Sequence, residues 1–225
     1  MADNITRVSR FGFVNAYLVR EDDGLTLVDT MLPRSAKTIL AAAQRLGAPI
    51  VRIALTHAHG DHIGSVDALA QALPNATFAI SGRDARFLTG DKSLDPGEPQ
   101  SKLRGSYETI ETRPGLLLSP GDRVGSLEVV AAPGHTPGQV AFLDTRDRTL
   151  IAGDAYSTLG GVATAAKMNP RFPLVGFATW DRPTALETAR ALRALDPARL
   201  AVGHGNVVER PGAAMDAAIA RAEGR

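Results

Sequence analysis

The segment Thr56-His57-Ala58-His59-Gly60-Asp61-His62 gathers three of the chain's five histidines within six residues. In an extended segment, residues two apart point the same way, so His57 and His59 can grip one cation from one side. Gly60 lets the chain turn, and Asp61 and His62 are then carried toward a second position a few ångströms away. Two-metal hydrolytic sites hold their ions roughly 3.5–4 Å apart, a separation that a strand-to-helix corner of this length can serve. By chance, an H-x-H-x-D-H string arises in roughly one in ten thousand sequences of this composition.

The other two histidines sit in similar surroundings. His135 lies in Ala132-Pro133-Gly134-His135-Thr136-Pro137-Gly138, and His204 in Val202-Gly203-His204-Gly205; Asp154 adds a carboxylate in Ala152-Gly153-Asp154-Ala155. Each follows a predicted strand, the usual place for sites in α/β folds. The chain has no cysteine, which excludes disulfides, thiolate-held metals and thiol nucleophiles. A metal here must be held by His, Asp or Glu, a donor set that takes Zn, Mn, Fe or Co.

Short β-branched runs alternate with longer Ala/Leu-rich runs of helical period, which predicts an α/β architecture. Strands are expected at Phe13 to Val19 and Leu25 to Asp29, joined by the Asp22-Asp23-Gly24 turn. A helix follows over Ala36 to Leu46, with Ser35 as N-cap and Gly47 as its stop. Strand Val51 to Leu55 leads into the histidine loop, which opens helix Ile63 to Leu73 and then strand Thr77 to Ser81. Residues 82–121 read as an irregular insert with only a short helix around Asp84 to Leu88, long enough to be a lid or binding loop. Strands resume at Leu127 to Ala131, Val140 to Asp144 and Thr149 to Ala152. A second irregular stretch, 157–181, is followed by helix Thr184 to Leu195, strand Leu200 to Val202, a helix from about Gly212 to Arg221, and a frayed Glu223-Gly224-Arg225.

With 225 residues, 44% apolar composition and 25 basic against 24 acidic side chains, the chain can bury a full core and carries a net charge of only +1. That charge gives no general pull toward nucleic acid or anionic lipid. The N-terminal MADNITRVSR is polar, and nothing approaches the roughly 20 apolar residues of a membrane span. These features predict a soluble, cytoplasmic protein acting on a small molecule without nucleic-acid or membrane partners, as a monomer or homodimer.

From the Asp29 turn through the H-x-H-x-D-H, P-G-H-T-P-G and G-D segments to the terminal G-H-G, the sequence resembles the metallo-β-lactamase fold superfamily. The resemblance implies one domain over 1–225, a four-layer αββα sandwich with the site at one edge of its two sheets. It also implies ligand roles: His57, His59 and His135 for one metal, Asp61, His62 and His204 for a second, Asp154 as the bridge, and Asp29 behind a ligand to orient it.

Two divalent cations sharing a water bring its pKa near neutrality, supply a bridging hydroxide and polarise a scissile carbonyl. The expected activity is therefore hydrolysis of a small ester, thioester, lactone or amide, with two ions, zinc first, and with Asp61 or Asp154 moving the proton. Within the superfamily, Asp154 at the bridge disfavours penicillin-type substrates. Ala58 between the histidines and the lack of a flavodoxin domain disfavour a flavodiiron role, and length and charge disfavour tRNA processing. The ligand pattern resembles glyoxalase II and the homoserine-lactone lactonases, although the tail after residue 181 is shorter than glyoxalase II's. Tyr156 lies one residue before the position of the lactonase tyrosine; with Phe177 and Trp180 it is a candidate for substrate contact. Arg83, Arg86, Arg104 and Tyr107 of the insert are expected near the metal edge, as are Met168 and Phe172. The alternatives are a mononuclear iron enzyme of the persulfide dioxygenase type on the same fold and a metal-binding protein without turnover.

Overall fold

A computed structural model describes residues 4–224; the start of the polar N-terminal stretch and the terminal Arg225 lie outside them. Fourteen strands and seven α-helices are formed among these residues. The first sheet holds β1 (Ile5–Arg10), β2 (Val14–Glu21), β3 (Gly24–Val28), β4 (Ile50–Ala54), β5 (Thr77–Ser81) and β6 (Leu116–Leu118), neighbours in that order. The second runs in the order β14 (Val208–Glu209), β13 (Arg199–Ala201), β10 (Thr149–Ile151), β9 (Val140–Asp144), β8 (Leu127–Ala131) and β7 (Arg123–Val124). A small hairpin pairs β11 (Tyr156–Ser157) with β12 (Ala163–Thr164).

Alternation along the strands builds the layers, because successive side chains leave opposite faces. On β2, Tyr17 and Val19 pack between the two sheets, while Ala16 and Leu18 turn outward toward α1 (Ala36–Leu46) and α3 (Val66–Ala72). On β9, Val140 and Phe142 face the inter-sheet core, and Ala141 and Leu143 pack toward α6 (Arg182–Ala194) and α7 (Gly212–Glu223). Every layer of this αββα sandwich is held by the burial of one strand face, and the central strands β3, β9 and β10 are buried on both faces.

Helix α1 spans the predicted residues and stops at Gly47 in the left-handed conformation. Helix α7 runs on to Glu223 and is closed by Gly224, so the expected fraying of those two residues does not occur. Strand β1 was hidden by its polar content: at the sheet edge only Ile5 and Val8 are buried. The helix expected over 63–73 is two, α2 (Gly60–Ile63) and α3, because Gly64 lies against the Pro33 ring and donates to the Met31 carbonyl. The break keeps Asp61 and His62 on one isolated turn. The insert is more ordered than its composition suggests: it contains α4 (Gly82–Ala85), a 3₁₀ turn over Phe87–Thr89 and β6. Its irregular middle is tied down by Arg83 on Glu98 and by Arg86 on Asp91 and Asp95. The second irregular stretch forms the β11–β12 hairpin and α5 (Leu174–Ala178).

Candidate metal centre

Strands β3, β4, β8, β10 and β13 all deliver their C-terminal ends to one edge, and the residues just beyond those ends converge there. Asp29 follows β3, His57 and His59 follow β4, His135 follows β8, Asp154 follows β10 and His204 follows β13; α2 adds Asp61 and His62. All seven predicted ligand residues thus meet in one place. His57, His59 and His135 bring one nitrogen each to within 4.8 Å of one another; Asp61, His62 and His204 do the same with an oxygen and two nitrogens. Asp154 lies between the groups, with Oδ2 3.4 Å from His135 Nε2 and 3.2 Å from His204 Nε2, and Oδ1 3.4 Å from His62 Nε2.

Each histidine gives the proton of one ring nitrogen to an acceptor outside the cluster, which turns its other nitrogen inward. His57 Nδ1 donates to Thr56 Oγ1 at 3.0 Å, and that hydroxyl donates to Asp29 Oδ2 at 2.8 Å. His59 Nε2 donates to the Arg104 carbonyl at 2.9 Å, and His135 Nδ1 to Thr179 Oγ1 at 3.1 Å. His62 Nδ1 donates to Asp29 Oδ2 at 2.8 Å, and His204 Nδ1 to the Phe13 carbonyl at 3.1 Å. The inward atoms His57 Nε2, His62 Nε2 and Asp154 Oδ1 are buried without a hydrogen-bond partner. Buried polar atoms are almost always satisfied, so a converging set of unpartnered ligand atoms fits a divalent cation.

The electrostatics agree with that fit. Burial pushes His57 well below the ordinary imidazole range, His59 down to about 4 and His135 down to about 3, so all three are neutral donors at pH 7. Burial also works against charge on the other side, but carboxylates overcome it. Asp29 and Asp154 hold His62 well above its ordinary value, and Asp154 and Asp61 raise His204 to about 10. Burial likewise pushes the two carboxyls up, yet the neighbouring imidazoles hold Asp61 and Asp154 below the ordinary carboxylate value. The centre therefore attracts positive charge, and a cation would take the place of the protons on His62 and His204.

Local conformation serves this packing. Asp29 adopts a left-handed conformation, φ 61°, which Asp tolerates and which leaves its carboxylate able to receive both the Thr56 amide and His62. Gly203 is required by space: a Cβ there would lie 2.6 Å from His62 Cε1 and collide with Asp154 Oδ1.

Several positioning residues escape sequence reasoning. Asp84 in α4 is buried and receives the Ala58 amide at 3.0 Å, Thr136 Oγ1 at 2.7 Å and the Gly138 amide at 2.7 Å, which ties two ligand loops together. Those donors lie 26, 52 and 54 residues away, so no local pattern announces them. Asn15 donates to the Val202 and Gly205 carbonyls and so brackets His204. Thr179, Trp180 and Asp181 back the His135 loop: besides the Thr179 contact, the Trp180 amide donates to the His135 carbonyl and the Asp181 amide to that of Gly134.

A cavity of about 430 Å³ opens on the centre, lined by Asp61, Asp154, His59 and His204 together with Phe13, Leu32, Ser106, Leu174 and Phe177. Phe177 is in place there and 54% exposed. Tyr156 is not: it is fully buried and donates to the Ala189 carbonyl at 2.7 Å, packed with Leu192 and Met215 beneath α6 and α7. Trp180 is also buried, its indole N–H donating to the Ser101 carbonyl, where it fastens the insert rather than facing a substrate. Of the insert's expected contributors, Tyr107 packs edge-on against His59, and Arg104 contributes through its carbonyl. Arg83 and Arg86 are spent on carboxylates inside the insert. Tyr156→Phe is expected to lower stability by about 1 kcal/mol, read by urea unfolding, with metal content and hydrolysis unchanged.

Residues 9–204 match the profile of the metallo-beta-lactamase superfamily. The chain belongs to this superfamily. YobT of Bacillus subtilis (strain 168), described as uncharacterized, is 47% identical over 211 residues, 93% of this chain and 91% of YobT. YflN of the same organism, a probable metallo-hydrolase, is 31% identical over 214 residues, 85% of this chain and 80% of YflN. A hydroxyacylglutathione hydrolase of Xanthomonas axonopodis pv. citri is 34% identical over 144 residues, 64% of this chain but 46% of that enzyme. Among solved structures, the di-iron-bound form of TTHA1623 matches with a TM-score of 0.65 and 25% identity, covering 91% of this chain and 94% of its own. Among the described residues no helix is long and apolar enough to cross a membrane.

Proposed function

We propose that this member of the metallo-beta-lactamase superfamily is a hydrolase that uses two divalent cations, zinc first among them, to cleave a small ester, thioester, lactone or amide. The observation that carries the proposal is the outward anchoring of all five imidazoles, which leaves two facing donor groups spanned by Asp154. His57, His59 and His135 would hold one cation and Asp61, His62 and His204 the other. Bound divalent cations acidify a shared water and polarise a substrate carbonyl.

The chain's own residues do the rest. Thr56, Thr179, Asp29 and the carbonyls of Phe13 and Arg104 fix which nitrogen of each ring faces inward. Asp61 has a side chain 31% exposed and lines the cavity, so it is the carboxylate placed to receive a proton from an incoming water and return it to a leaving group. Phe13, Leu32, Leu174 and Phe177 form an apolar wall against which an acyl or lactone chain can pack while water is excluded. Hydrolase names among the relatives support the reaction class, and the hydroxyacylglutathione hydrolase among them supports an acyl substrate. TTHA1623, solved with two irons, supports two cations and puts iron beside zinc as an occupant to test.

Elemental analysis of purified protein is expected to find close to two ions per chain. A panel of lactone, thioester, phosphodiester and β-lactam substrates is expected to show lactone or thioester hydrolysis that chelation removes and zinc restores. Metal-independent turnover, or a metal-loaded protein inactive across the panel, would overturn the proposal; oxygen uptake with a persulfide by an iron-loaded protein would replace it.

A further inference from the structure

A second cavity, about 580 Å³, is larger than the one on the metal centre and shares no lining residue with it. It lies between α7, the β11–β12 hairpin and the segment that follows the hairpin. Its apolar wall includes Met168, Ala217 and Ala218, and its cations are Lys167, Arg171 and Arg221; among the described residues no carboxylate lines it. Lys167 Nζ donates to the Arg221 carbonyl at 2.5 Å, and an Arg221 guanidinium N–H donates to the Val162 carbonyl at 2.6 Å. Those bonds tie down two of the side chains, and among the described residues no carboxylate is an ion-pair partner of Lys167, Arg171 or Arg221. Thr164, also in the lining, keeps a buried hydroxyl oxygen without a partner.

An anion placed among the three cations that line this hollow is attracted by them, while an aliphatic group on it fills the hollow. We infer that this cavity is a binding site for a small amphipathic organic anion, a carboxylate or phosphate monoester carried on a short aliphatic chain. The metal cavity, whose lining carries two carboxylates and no Lys or Arg, is suited to a different ligand.

The test uses octanoate, octyl phosphate and 1-octanol, titrated calorimetrically into the intact protein with and without its metals. Octanoate or octyl phosphate is expected to bind one per chain, roughly tenfold or more tighter than 1-octanol, and more weakly at high salt. The tighter of the two anions identifies the headgroup. Arg171→Gln combined with Arg221→Gln is expected to weaken anion binding roughly tenfold. Ala217→Leu, at an exposed position, is expected to fill the hollow and abolish binding while the thermal transition stays in place. Binding of 1-octanol as tight as that of both anions would overturn the inference. So would anion binding that survives both the double substitution and Ala217→Leu, or that disappears when the metals are removed.

Discussion

Asp154→Ala is expected to lower metal-dependent hydrolysis by on the order of a thousandfold and to reduce the metal retained per chain after dialysis. Among the described residues, Asp154 alone has carboxylate oxygens within 4 Å of histidine nitrogens from both donor groups; Asp61 reaches only His204, at 3.2 Å. Removing Asp154 leaves neutral His57, His59 and His135 to hold their cation without an anionic partner, and it strips His62 and His204 of their nearest shared negative charge. Asp154→Asn separates shape from charge, because it keeps the side chain's size and loses only the anion. Elemental analysis and kcat/KM on the best substrate of the panel give the readout. Wild-type metal content and activity in Asp154→Ala would remove the bridging role and the two-cation proposal with it.

Asp84→Ala is expected to cost about 3–5 kcal/mol of stability and to weaken zinc binding by about 10- to 100-fold. The Ala58 amide, the Gly138 amide and the Thr136 hydroxyl would all lose their acceptor inside the protein, and the loops carrying His57, His59 and His135 would lose the side chain that fixes their spacing. Asp84→Asn is the milder probe, since one backbone N–H must then face an amide NH₂. Burial pushes the Asp84 carboxyl up to about 6, although the three hydrogen bonds pull the other way. A carboxyl raised on folding contributes stability that is complete below the ordinary carboxylate range and is lost as pH rises through about 6. The stability gap between the wild type and Asp84→Asn should therefore narrow by up to about 3 kcal/mol between pH 4 and pH 7, measured by urea unfolding. A constant gap would contradict the titration, and zinc affinity unchanged in Asp84→Ala would contradict the positioning role.

Short-range pattern made much of the molecule legible. Helix α1 and strands β5, β8 and β9 lie where periodicity places them, because each carries its own buried face and its own stop signals. The missed elements have little such signal: β1 is an edge strand with two buried side chains, and β7, β11, β12 and β14 are two residues long. The helix expected over Ile63 to Leu73 runs through Gly64, yet the contact of Gly64 with Pro33, thirty-one residues earlier, ends α2 after one turn.

The sequence by itself determined which residues could hold metal, because five histidines and no cysteine left few donors, and glycine-flanked loops after strands gave each of them an address. Only the tertiary structure decided what stands behind and beside them. Asp84, Asn15 and Thr179 act across 26 to 190 residues of chain, a distance over which no spacing rule operates. The same holds for the aromatic candidates. Tyr156, Phe177 and Trp180 are alike on paper in being large and near a ligand loop, but α6 and α7 close over Tyr156, the insert closes over Trp180, and Phe177 alone stays at the mouth of the cavity. Which face of a side chain is covered depends on packing between distant segments, and that is settled only when the layers close.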